Sequence, residues 1–190
     1  MKLFEPLHLG NMHLANRIVM APLTRSRADA KTNAPGGLAA TYYGQRASAG
    51  LIIAEGTSPS PNGVGYPRIP GIYSQAQIDG WRLVAESVHE KGGNLFVQLM
   101  HCGRVAHEAN LPQGASVIAP SGVELPGEMY TDAYGMHPHT PARAMTGEDL
   151  QSTAEEYVQA AKNAVEAGCD GVVASGLEAS RLREFVDDRL

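Results

Sequence analysis

Two spacings of apolar residues alternate along this chain. Leu7-His8-Leu9 and Met12-His13-Leu14 flank Gly10-Asn11, a pattern that predicts a small hairpin with turn residues suited to φ > 0. Ile18-Val19-Met20-Ala21 is a short apolar run stopped by Pro22, which predicts a strand buried on both faces, as in a parallel sheet. From Gly37 to Ala49, the positions of Leu38, Tyr42, Gln45, Arg46 and Ala49 fit a helix closed by Gly50. Leu51-Ile52-Ile53-Ala54 predicts a second buried strand, and a Gly-, Pro- and Ser-rich loop follows from Gly56 to Gly71.

Ser74 is a suitable N-cap for a helix whose apolar stripe is Ile78, Trp81, Val84, Ala85 and Val88, ended by Gly92-Gly93. Leu95-Phe96-Val97-Gln98-Leu99 predicts a third strand. The stretch from Cys102 to Ala144 is rich in Pro and Gly, has no clear period, and reads as a long loop of the kind that carries function. Thr146 with Asp149 opens a helix running to Ala167, with Tyr157, Ala161, Ala164 and Val165 on one side and Gly168 at its end. Gly171-Val172-Val173-Ala174 predicts a fourth strand, and a short helix near Leu182 is expected after it. Repeated strand–helix units place the chain in the α/β class, with a parallel sheet covered by helices.

At 190 residues this is expected to be a single domain, residues 1–190, with a real core. A net charge of −5 leaves no basic footprint for nucleic acid, and no apolar stretch approaches the ~20 residues of a membrane span. The opening MKLFEPLHLG lacks the apolar region of a signal peptide. Cys102 and Cys169, far apart and without CxxC spacing, point away from a disulfide framework or zinc site and toward a reducing cytoplasm. His101 and His107 read as polar loop residues, not metal ligands, and Arg25 and Arg27 as surface charges.

The run Asn16-Arg17-Ile18-Val19-Met20-Ala21-Pro22-Leu23-Thr24-Arg25 resembles the first strand of the old yellow enzyme family of FMN-dependent ene-reductases. Further similar motifs follow in order: Tyr42-Tyr43-Gly44-Gln45-Arg46-Ala47, Gly50 through Thr57, Gly65-Tyr66, Pro70 through Ser74, Gln98 through His107, Ala119-Pro120-Ser121 and Thr140 through Ala144. The resemblance is close over about residues 2–173 and patchy over the tail 174–190. It implies a TIM-type (β/α)8 barrel with FMN at the carboxyl ends of the strands. A whole barrel takes about 250 residues, so an incomplete barrel is expected here, of about the first four strands, with the N-terminal hairpin and the long loop after the third strand.

By this resemblance, Ala21, Pro22 and Leu23 lie against the isoalloxazine and the Thr24 hydroxyl donates to its O4, which would stabilise negative charge on reduced flavin. Gly56 would let the backbone approach the flavin, and Gln98 would bond the pyrimidine edge, its amide donating and accepting. Tyr66 and Met100 match positions lining the substrate pocket. From the residues alone, Thr24 equally suits a cap or a solvated loop, Gly56 a simple turn, and Tyr66 and Met100 ordinary packing.

After the fourth strand the family carries a His, then Asn or His, then Tyr, which bind the substrate oxygen and donate a proton. Here Ser175, Glu178 and Ser180 occupy those places. Glu178 would set an anion where charge develops, and Ser180 replaces a phenol of pKa about 10. Gly176, Leu182 and Phe185 still match in the same register. No catalytic residue is therefore assigned.

Two classes of function follow. One is an FMN-dependent oxidoreductase that takes hydride from NADH or NADPH and reduces activated C=C bonds of a small-molecule substrate, completed by a second copy or a complementing half barrel. The other is a non-catalytic half-barrel fragment, or a self-associating interaction module pairing through its open strand edges.

Overall fold

Every predicted strand from Ile18 onward enters one sheet, and it does so in chain order. The structure is a computed structural model and describes residues 1–175. The expected hairpin is present as β1 (Leu7–Leu9) and β2 (Met12–Leu14), paired antiparallel with Leu7 opposite Leu14. Gly10, with φ of 56°, makes its two-residue turn possible. Then come β3 (Val19–Met20), α1 (Gly37–Gly44), β4 (Leu51–Thr57), α2 (Gln75–His89) and β5 (Leu95–Met100). After the long excursion follow α3 (Gly147–Glu166) and a last strand, Gly171–Ser175.

The four strands form one parallel sheet in the order Val19–Met20, β4, β5, Gly171–Ser175. A sheet that grows one strand at a time in one direction, through right-handed crossovers, keeps its helices on one face. There is no reversal of strand order among the described strands, which separates this arrangement from a doubly wound sheet.

The core lies between the sheet and the helices. Trp81 and Tyr43 are its largest members, packed with Ile52, Leu95, Val97, Leu99, Val84 and Val88. Each large side chain fully buried in this way is worth about 1.5–3 kcal/mol. Two buried polar groups lock the segment before α2 against the helices: the Trp81 indole N–H donates to the Gly71 carbonyl at 3.1 Å, and Asn163 Nδ2 donates to the Ile72 carbonyl at 2.7 Å. The expected caps are present. Gln77 Oε1 accepts the Ser74 N–H, and Thr146 and Asp149 form a reciprocal capping box.

Three expectations need correction. The first strand is only Val19–Met20 and is not buried on both faces, since Val19 is 49% exposed; it is an edge strand, paired with β4 alone. α1 ends at Gly44 and not at Ala49, because the next turns tighten to i+3 bonds such as Arg46 N–H to Tyr43 O. The Cys102–Ala144 stretch is not a plain loop. It holds β6 (Ile118–Ala119) paired with β9 (Arg143–Ala144), and a hairpin of β7 (Glu128–Thr131) and β8 (Gly135–Pro138). The strand Gly171–Ser175, one residue longer than predicted, is β10. The helix expected near Leu182 lies outside the described residues.

Candidate active site

β5 alternates strictly. Leu95, Val97 and Leu99 are buried toward the helices, and Phe96, Gln98 and Met100 are half-buried on the opposite face. β4 begins in the same phase, with Ile52 and Ala54 in the helix-side core. Its register then slips: Ile53 pairs with Phe96 but Gly56 pairs with Gln98, leaving Ala54 and Glu55 opposite the single residue Val97. Such a two-against-one bulge re-aims the residues around it. Gly56 is carried to the face of Gln98 and Met100, while the Glu55 carboxylate meets the hydroxyl of Tyr43 in the helix-side core.

Gly56 is thereby the floor of a small cradle. A Cβ built on it would lie 2.9 Å from Met100 Sδ and 3.6 Å from Gln98 Oε1, and would overlap Met100 Cε. The Gln98 amide makes no hydrogen bond to other described residues, so its donor and acceptor remain available on this face. Gly56, Gln98 and Met100 are thus brought together. Ser175 joins them, because β10 pairs with β5 so that Ser175 stands beside Met100 and Val173 beside Gln98.

Ala21, Pro22, Leu23 and Thr24 leave the end of β3 as irregular chain. Leu23 and Thr24 are exposed and Pro22 is half-buried. Just beyond them the Arg25 N–H donates to Glu55 Oε2 at 2.9 Å, which ties the segment to the strand that carries Gly56. The Arg25 guanidinium rests on the Tyr42 ring, 4.8 Å from its centroid.

Tyr66 lies in the loop after β4. Gly65 beside it packs against the turn after β5, where an added Cβ would fall 2.9 Å from Cys102 Sγ. The Cys102 N–H donates to the Gly63 carbonyl, and Asn110 Nδ2 donates to the Gly65 carbonyl. Tyr66 is therefore held beside the turn after β5, near Cys102, and Met100 packs with Val64, Ile69 and Cys102. Burial, then the nearby Cys102, pushes the Tyr66 phenol upward, while burial holds the Cys102 thiol at about 11, unreactive at neutral pH. Tyr157 of α3 spans the strand ends: its hydroxyl accepts the His101 N–H at 2.9 Å and donates to the Ser175 carbonyl at 3.2 Å.

His101 is buried, its Nδ1 accepting the Gly103 N–H at 3.0 Å, and burial lowers its pKa to about 4. His107 Nδ1 accepts the Ala109 N–H, and its Nε2 lies 3.2 Å from His137 Nδ1 on the β7–β8 hairpin. Both histidines thus fasten the excursion. A cavity of about 380 Å³ opens within that excursion, lined by Arg104, Leu125, Pro138 and Thr140 among others, and contains none of the predicted site residues.

Glu178 and Ser180 lie outside the described residues. Sequence reasoning assigned no role to Glu55, Tyr43 or Tyr157; the available signal was a charged residue closing the apolar run Leu51–Ala54 just before a glycine.

The model of the NADH:flavin oxidoreductase / NADH oxidase family matches residues 2–190. The chain is 39% identical to 12-oxophytodienoate reductase 7 of Oryza sativa subsp. japonica, covering 98% of this chain and 48% of that protein. It is 36% identical to a probable flavin mononucleotide-dependent alkene reductase of Leishmania infantum, covering 97% and 51% respectively. Among solved structures, the old yellow enzyme homologue from Zymomonas mobilis superposes with a TM-score of 0.86 at 41% identity, over 92% of this chain and 48% of that one. The chain spans about half the length of these relatives. With a family match over nearly its whole length, the chain belongs to the NADH:flavin oxidoreductase / NADH oxidase family.

Proposed function

We propose that this chain forms the first half of an FMN-binding (β/α)8 barrel that serves NADH- or NADPH-dependent reduction of activated C=C bonds once the remaining strands are supplied. The observation that carries this is the bulge in β4, which sets the Cβ-less Gly56 beside the Gln98 amide and Met100 on the sheet face away from the helices. Those residues fit the edge of a flavin: a close backbone, an amide that donates and accepts, and a soft apolar side chain. Ala21, Pro22 and Leu23 would supply the wall against the ring, and the Thr24 hydroxyl a donor to its carbonyl oxygen. Tyr66 and Met100 would line the substrate side. Bound FMN would supply the redox chemistry, accepting hydride from the nicotinamide and passing it to the alkene.

The rest of the barrel or a second copy would complete the site. No described helix is long and apolar enough to cross a membrane; a small-molecule substrate and a cytoplasmic setting remain part of this proposal. A second assignment is favoured by one observation. Ser175 stands beside Met100 at the place where the family carries a substrate-binding His, which supports a half barrel that binds or self-associates without turnover.

Titrating the purified chain with FMN separates these. Saturable quenching of flavin fluorescence with a shifted visible band is expected, and Gln98→Ala should weaken it. Absence of binding at high FMN concentration would overturn the flavin assignment for this chain.

A further inference from the structure

Glu55 is 5% exposed, and an ionised carboxylate so placed is costly unless its oxygens are bonded. They are divided between two partners. Oε2 accepts the Arg25 N–H at 2.9 Å, and Oε1 accepts the Tyr43 hydroxyl at 3.3 Å. The Tyr43 oxygen in turn accepts the backbone N–H of Glu55 at 3.0 Å. Tyr43 is 1% exposed and packs on Trp81 with ring centroids 6.4 Å apart, so its hydroxyl is a fixed point in the core. A rigid chain of contacts thus runs from the core to Arg25.

The segment it holds is irregular chain, anchored further on by the Ala28 N–H to the Arg68 carbonyl and by Asn33 Nδ2 to the Ile69 carbonyl, with the Arg25 guanidinium on the Tyr42 ring. Residues 21–36 belong to no helix or strand, and Leu23 is 58% exposed. Ser26, next to the tethered amide, takes φ of 51°, a left-handed conformation that a non-glycine residue keeps only where its surroundings impose it. The same bulge that sends Gly56 to the sheet face turns Glu55 toward Tyr43, so one slip in register builds both the cradle and the tether.

We propose that Glu55 is the positioning residue of the Ala21–Thr24 segment: seated on Tyr43, its carboxylate fixes that segment beside the face bearing Gly56, Gln98 and Met100, and thereby sets the affinity for the isoalloxazine ring. The consequence for binding rests on the flavin assignment above; the tether itself does not. Burial raises the Glu55 carboxyl, against the lowering by the Arg25 amide and Tyr43. With a folded pKa above the unfolded one, the stability it contributes is present at low pH and lost as pH rises through the folded value. The charged form is therefore disfavoured in the folded chain relative to a free carboxyl, and Glu55→Gln should fold at least as well. Gln can also keep the geometry, with Oε1 accepting from Arg25 and Nε2 donating to the Tyr43 oxygen.

Amide hydrogen exchange on the chain without FMN, together with FMN titration, tests this on Glu55→Ala, Glu55→Gln and Tyr43→Phe. In Glu55→Ala the Arg25 amide should exchange at least about tenfold faster while α3 is unchanged, and the FMN Kd should rise about tenfold. Glu55→Gln should stay within about threefold of the parent on both measures, and Tyr43→Phe should fall between. Unchanged exchange at Arg25 in Glu55→Ala, or equal loosening of α3, would overturn the tether. Lost protection at Arg25 with an unchanged Kd would overturn its role in binding. If the parent chain binds no FMN, the flavin assignment fails while the exchange data still decide the tether.

Discussion

Gly56 and Met100 interlock across β4 and β5: Met100 Sδ lies 2.9 Å from where a Gly56 Cβ would stand. The obstructing atoms are the far end of a flexible side chain, so Gly56→Ala should displace Met100 without unfolding the sheet. The expected shift in Tm is under about 4 °C, equivalent to about 1 kcal/mol at this length, while FMN binding weakens about tenfold. Met100→Ala in the same chain should restore binding to within about threefold, a coupling that a double-mutant cycle measures. Independent, additive effects would show that the two residues do not share a site.

Tyr157→Phe removes the hydroxyl that joins the His101 N–H to the Ser175 carbonyl. The buried His101 N–H and the half-buried Ser175 carbonyl lose a partner, so unfolding in urea should show a loss of about 1–3 kcal/mol. Ser175 is at the end of β10, and exchange of the β10 amides should quicken more than that of β4. A uniform change across the sheet would mean that the hydroxyl stabilises the fold without setting the strand end.

His101 gives the acid limb of the stability curve a defined shape. Burial lowers its folded pKa to about 4, below the ordinary value of 6.5. The neutral ring is favoured in the folded chain, so its contribution is present above about pH 6.5, declines between 6.5 and 4, and is gone below. Replacing His101 with Gln should flatten stability against pH across that window, measured by denaturant unfolding at several pH values. The Nδ1 that accepts from Gly103 would become a donor on protonation, so the parent chain should loosen first near residues 101–103.

Thr146 begins α3 with its hydroxyl accepting the Asp149 N–H at 3.1 Å, and Asp149 Oδ2 accepts the Thr146 N–H at 2.7 Å. Arg143 bonds the Asp149 carboxylate with Nη1 and Nη2 and, with the Thr146 contacts, holds that carboxyl well below the usual range. Thr146→Ala should cost about 1 kcal/mol in thermal or chemical unfolding. A loss within about 0.2 kcal/mol would show that Asp149 and Arg143 carry the cap without it.

The cap at Thr146 and Asp149, the stripe from Ile78 to Val88 in α2 and the hairpin turn at Gly10 were all legible, because each is decided by residues within a turn or two of one another. The order of strands and helices followed from the same local periods, and with it the α/β class. The candidate residues Gly56, Gln98 and Met100 could be named from family motifs, but nothing local says that they share a face. By strict alternation from Ile52 and Ala54, Gly56 would point into the helix-side core.

Its true direction comes from the extra residue at Ala54–Glu55, and a bulge exists only by reference to the partner strand β5. The same holds for the excursion, where β6 finds β9 across more than twenty residues and the β7–β8 turn rests on Gly135, with φ of 72°, and on the Thr131 hydroxyl that bonds across it. The exposure of Val19 likewise follows from its edge position and not from its composition. The sequence by itself determined the four sheet strands, the three main helices and their order, since those are short-range matters of period, capping and turn chemistry. Only the tertiary structure decided which side chains meet, because register between distant strands is set by pairing and packing across the whole sheet.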